Sequence, residues 1–121
     1  MHITRCKAPG RRKMFAITAR RLTDWMTETH VDPILIDMVH EYLLSFGEKS
    51  MVECLRLDVE EYRSLAEATD RLQWDCFLEG RISPLWVSIM KAVLIQSGLR
   101  LPPEKWGRQF IKHLLQITHK Q

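Results

Sequence analysis

Eight cations have the type and spacing to hold phosphates. Arg11, Arg12 and Lys13, then Arg20 and Arg21, bracket Phe15 near the start of the chain. Lys105, Arg108 and Lys112 recur at steps of three and four around Trp106 and Phe110. Such side chains neutralise phosphate charge and release its counterions. On a helix the three tail cations would share one face. A solvated helix surface has the same pattern, and a helix dipole favours cations near its C-terminus. The N-terminal run fits three roles: a phosphate-binding arm, a nuclear-import patch, or an organelle leader poor in acids.

Other chemistries find little support. The chain has five His and three Cys but no Cys-x-x-Cys and no His-Glu-x-x-His. His113 and His119 are six residues apart, on different faces of a helix, and His40-Glu41 stands alone, so no metal site is expected. Cys54 and Cys76 fall in apolar helical segments, where a buried thiol is the ordinary reading. A catalytic cysteine needs a nearby His and an electropositive setting, and the sequence supplies no sign of either. Asp75 and Glu79 are spaced for one helix face, and pairing with Arg71 or Arg81 accounts for such acids. No Gly-rich phosphate loop, dinucleotide fingerprint or kinase signature occurs, so no cofactor is expected.

Helices must position these residues. Met14 to Glu28 lacks Gly and Pro and is expected to be helical behind a basic, flexible arm over residues 1–12. Asp32-Pro33 is a cap followed by proline at the first helical position, and the helix it opens is expected to run to Phe46 and stop at Gly47. Leu35, Met38, Val39, Tyr42, Leu43 and Phe46 keep the helical period there. Ser50-Met-Val-Glu53 is a capping-box pattern, and Asp58-Val-Glu-Glu61 offers a second. They predict a short helix at 51–56 and a long one from 59 to about 79, with one unbroken helix over 51–79 as the alternative. Val59, Tyr62, Leu65, Ala66, Thr69 and Leu72 share a face. Gly80 closes that helix, Ser83 caps the next, and Pro84 opens it. Phe77, Leu78 and Trp86 are expected near this corner. The fifth helix runs to Gln96, before Gly98. After Leu101-Pro-Pro103 a last one carries Trp106, Phe110, Ile111, Leu114, Leu115 and Ile117. At helical spacing the four tryptophans read as core, although one or two are suited to anchor a protein partner.

The fold class is therefore all-α: one domain over residues 13–121, a bundle of five or six helices. At 121 residues, 45% hydrophobic and 27% charged, the chain is an ordinary globular domain. No apolar run spans a bilayer, and no secretory signal is evident. An odd set of widely spaced cysteines fits a reducing, intracellular compartment. The net charge of +3 hides an asymmetry. Residues 1–23 carry seven Lys or Arg and no acid. Residues 24–98 carry six basic and fourteen acidic side chains, and residues 99–121 five and one. Either the ends pair with the centre, or the ends are offered to an external polyanion.

Trp74-Asp-Cys-Phe-Leu-Glu-Gly-Arg-Ile-Ser83, Trp86, Trp106 and Leu114-Leu-Gln-Ile-Thr-His119 together resemble the C-terminal part of uncharacterised eukaryotic proteins that look like remnants of mobile-element open reading frames. The resemblance covers about residues 65–121 and implies no activity and no site residues. In that group a tryptophan and an Arg-Asn pair follow the Thr-His segment. Here the chain stops at Gln121, so either a truncated chain or a shortened gene copy is expected, with an exposed apolar side on its last helix.

The preferred function is a non-enzymatic helical binding module that associates with nucleic acid through its basic ends. The competing class is a protein–protein or self-association module with a basic targeting arm. A small helical enzyme ranks third.

Overall fold

Six helices, in a computed structural model that describes the backbone of residues 3–119 and the side chains of residues 15–117, follow the punctuation of the sequence closely. They are α1 (Ile3–Glu28), α2 (Pro33–Leu44), α3 (Met51–Cys54), α4 (Glu60–Leu78), α5 (Pro84–Ser97) and α6 (Pro103–His119). The fold is an all-α single-domain bundle, with no strand among the described residues. Helix α1 starts at Ile3, ahead of the expected Met14.

The caps act as the residue types dictate. Asp32 accepts a hydrogen bond from the Ile34 N–H, Ser83 from the Leu85 N–H, and each is followed by proline at the first helical position. Ser50 and Glu53 complete the reciprocal capping box of α3. The second predicted box does not form. Val59 occupies the cap position of α4 without a side-chain bond, and Asp58 instead pairs with Arg63 at 2.8 Å. Residues 55–59 separate α3 from α4, so no single helix covers 51–79. Gly80 closes α4 with φ +87°, and a Cβ there would lie 2.7 Å from Ile111 Cγ2. Glycine is thus required twice at that corner, by backbone and by space.

Two carboxylates tie α4 to its neighbours. Asp32, already capping α2, accepts the Tyr62 hydroxyl at 2.7 Å. Asp70 accepts the Met51 and Val52 N–H groups of α3 at 2.7 and 3.2 Å. Burial, then the bond to Asp32, pushes the Tyr62 hydroxyl up to about 12. Apolar packing supplies the rest. α1 lies against α2 and α6, α6 against α5 and α4, and α3 bridges α2 and α4. A continuous core runs from Phe15 to Ile117. Trp86 and Phe77 both pack edge-on against Phe110, at 5.0 and 6.1 Å between centroids, and this forms the expected corner. Trp106, Phe110, Leu114 and Ile117 are fully buried, so the apolar side of the last helix is covered, contrary to the expectation of an exposed one.

Helix α4 departs from the sequence reading at one residue. Gln73 has φ 71° and ψ 160°, within a run expected to be unbroken. Only glycine enters that region readily, and a side chain there costs about 1–3 kcal/mol. The helical phase supplies the reason. Gln73 follows buried Thr69 by four residues and buried Ala66 by seven, so a continuous helix would turn its amide into the core and Trp74 away from it. The break exchanges them: Gln73 is exposed, Trp74 is half-buried and Phe77 is fully buried. Phe77, one turn after Gln73, would face the core in a continuous helix too, so the gain is the partial burial of Trp74, which offsets a strain of this size.

Trp86 is fully buried and its indole N–H has no hydrogen-bond partner among the described residues. Trp86→Ala should lower the unfolding free energy by about 3–5 kcal/mol in urea denaturation, through lost packing and a cavity. Trp86→Phe should cost clearly less, because it also removes an unpaired buried donor.

Candidate nucleic-acid interface

The seam between the first and last helices determines where the tail cations point. Trp106 donates its indole N–H to Thr29 Oγ1 at 3.0 Å. The Trp25 ring stacks on Trp106 at 5.3 Å and lies 4.9 Å from His113, and its N–H donates to Gln109 Oε1 at 3.3 Å. Residue 29 thus meets 106 and residue 25 meets 109 and 113, so α1 and α6 run antiparallel. This pairing, with the packing of Trp86 against Trp106 and Phe110, turns the apolar stripe of α6 inward.

Lys105, Arg108 and Lys112 fall on the opposite side of α6 and are all exposed. None of them takes part in an ion pair among the described residues. The ion pairs present there link Arg20 to Asp24, Lys49 and Arg56 to Glu41, Arg63 to Asp58, and Arg81 to Glu79. The described tail cations therefore do not neutralise the acidic centre, which answers for them the question posed by the charge asymmetry.

The second basic cluster is divided. Arg21 is exposed one turn before Trp25, on the α6 side of α1. Arg20 lines a groove of about 240 Å³ between α1 and α2 with Asp24, Asp37 and His40. Its pair with Asp24 spans 3.2 Å between side chains 74% and 62% exposed, a surface contact of small value. The side chains of Arg11, Arg12 and Lys13 lie outside the described residues. The aromatics among these cations are structural. Phe15 is buried against Phe46 at 4.7 Å, and Trp106 and Phe110 are fully buried, so none offers a face to a base.

Sequence reasoning missed a second group of polar side chains. Tyr42, Lys49, Asp70, Gln73 and Trp74 line a cavity of about 290 Å³ between the turn after α2 and the break in α4. The one signal in the sequence is a polar Gln73 at an apolar phase of α4, followed at once by tryptophan. Burial, then the charge of Asp70, pushes the Tyr42 hydroxyl up to about 12. No three His, Cys, Asp or Glu side chains converge as metal ligands among the described residues. No helix among them is long and apolar enough to cross a membrane. No family model, no curated protein and no solved structure matches the chain.

The thiols differ in reach. Cys54 is 1% exposed, and burial followed by the charge of Glu41 pushes it up to about 11. Cys76 is half-buried, and the side chain of Cys6 lies outside the described residues. Cys54 should react more slowly than Cys76 with a thiol reagent at neutral pH, since attack requires an accessible thiolate. Mass spectrometry of partially labelled native protein reads the order.

His113 lies between Trp25 and solvent. Burial, then Lys112, holds it below its ordinary value of 6.5, against the opposing charge of Glu28. A lowered folded value means that the unfolded chain takes the proton first. The stability contribution of neutral His113 is complete above about pH 6.5 and is lost as pH falls through the folded value. Unfolding free energy should fall more between pH 7 and 5 in the wild type than in His113→Gln, measured by urea titration at each pH.

Proposed function

We propose that this chain is a non-enzymatic helical module that associates weakly, and without sequence preference, with nucleic acid through its basic ends. The carrying observation is the outward stripe Lys105, Arg108 and Lys112, held opposite the buried face of α6 and unpaired among the described residues. Arg21 adds a cation on the neighbouring helix. Arg11, Arg12 and Lys13 precede it in α1, and Arg20 contributes less because Asp24 already engages it. A rigid row of cations at steps of three and four can follow a phosphate backbone without reading bases, because phosphate contacts carry no sequence information. Glu28 lies near His113 on this seam, and Glu104 stands four residues before Arg108 on α6, so both acids oppose a phosphate there.

One observation favours a second reading, a protein-binding or self-associating module with a basic targeting arm. Ile95 is 71% exposed and, with Leu94, Leu99 and Leu101, borders an apolar depression at the α5–α6 link. The patch is small beside the several hundred Å² of typical apolar interaction surfaces, so it ranks second.

Titration of single-stranded and duplex oligonucleotides at two salt concentrations separates the readings. Wild-type affinity should fall steeply with salt and vary little with sequence. Replacing Lys105, Arg108 and Lys112 with Gln should lower the log–log salt slope on duplex by up to about 2.7, with the helical spectrum intact. Neutralising Arg11, Arg12, Lys13, Arg20 and Arg21 should reduce it further. Absence of binding at low salt, with a dimer mass in light scattering, would leave the second reading in place.

A further inference from the structure

We propose that the cavity between the turn after α2 and the break in α4 binds a neutral, planar heterocycle of nucleobase size, stacked on Trp74. Its volume of about 290 Å³ is near the lower end for small-molecule sites. Such sites combine an aromatic wall with a few convergent polar groups, and this one does the same. Trp74 is half-buried, and its ring lies over Gly47, where a Cβ would come within 2.9 Å of the indole. Tyr42 stands edge-on to it at 5.2 Å.

Two features of the walls suit a ligand. Tyr42 is only 2% exposed and lines the cavity, yet its hydroxyl has no hydrogen-bond partner among the described residues. The hydroxyl is not sealed in the core, so it is reachable from the cavity and free to donate to a ligand. Gln73 adopts a backbone conformation natural only to glycine, and this brings its amide and the Trp74 indole to the same cavity. Residues held in such conformations recur at ligand clamps.

The polar groups select the chemistry. Tyr42 offers a donor. Each Asp70 oxygen accepts one backbone N–H and keeps a second lone pair for a ligand donor. The Gln73 amide offers both functions. Asp70 opposes an anion, and Lys49, held by Glu41 at 3.1 Å, balances the local charge. A flat, neutral ring with adjacent donors and acceptors satisfies all of these, and nucleobases have that edge. The base can come from a free nucleoside or from an unpaired position in a strand. Only the strand form rests on the nucleic-acid reading above. Phe15, whose ring lies 6.4 Å from Trp74, follows Arg11-Arg12-Lys13 in the same helix, so a strand with a base on Trp74 would pass basic sequence.

The test is calorimetric titration of the full chain with adenosine, guanosine, cytidine and uridine, and with ribose as the sugar control. At least one nucleoside should bind and ribose should not. Tyr42→Phe should weaken binding by about three- to tenfold with unchanged thermal unfolding, because that hydroxyl leaves no partner behind. Trp74→Leu should weaken it by tenfold or more, the effect of losing one base stack. If Trp74→Leu also weakens single-stranded but not duplex binding, the strand is the source; if strand binding is unaffected while nucleoside binding falls, the source is the free base. Failure of the nucleic-acid reading would remove strand binding and leave the nucleoside result standing. The proposal is overturned if no nucleoside binds, if ribose binds equally well, or if Tyr42→Phe folds normally and binds as the wild type does.

Discussion

The contact on which the bundle depends is the aromatic seam that joins its two ends in sequence. Trp25 stacks on Trp106, Trp106 donates to Thr29, and Phe110 lies against Trp106, Trp86 and Phe77. These rings bring together residues up to 88 positions apart, from Trp25 to His113. Aromatic pairs gain from area burial and from preferred ring geometry, so the seam concentrates much of the core's stabilisation where α1, α4, α5 and α6 meet. The Thr29 hydroxyl lies at the centre: it accepts from the Trp106 indole and donates back to the carbonyls of α1. With both roles used, the buried indole N–H of Trp106 is satisfied. That of Trp86, in the same cluster, has no partner among the described residues.

This seam also fixes the outer surface. A helix is rigid, so turning one stripe inward turns the opposite stripe outward. Once Trp106, Phe110, Leu114 and Ile117 are buried, Lys105, Arg108 and Lys112 have no route to the acidic residues of α2 and α4. The charge separation along the chain therefore survives folding in α6. Exposed cations without partners contribute little to stability, and their field is available to an external polyanion.

At the other end of the molecule the dominant constraint is helical phase. In α4 the buried face through Ala66 and Thr69 leads to Gln73 and not to Trp74. A continuous helix would bury the amide and leave the indole out. The chain resolves the conflict at Gln73, with backbone strain in exchange for an exposed amide and a half-buried Trp74. The cavity beside Trp74, with the Tyr42 side chain on its wall, adjoins that break.

Helix boundaries were legible in the residues because they are local. Asp32-Pro33, Ser50 to Glu53, Ser83-Pro84, Gly80 and Gly98 each act through bonds or torsions within a few positions, and all do so in the structure. The stripes of α2, α5 and α6 were legible for the same reason, since periodicity alone selects the buried side. Asp58 was misread because a cap competes with an ion pair to Arg63, and local pattern does not rank the two. Three features were decided only in three dimensions: the break at Gln73, the separation of Arg20 from Arg21, and the use of Phe15 as core. Each depends on which neighbour a helix face meets, and that is settled by the packing of segments remote in sequence, where burial of large side chains outweighs local backbone preference.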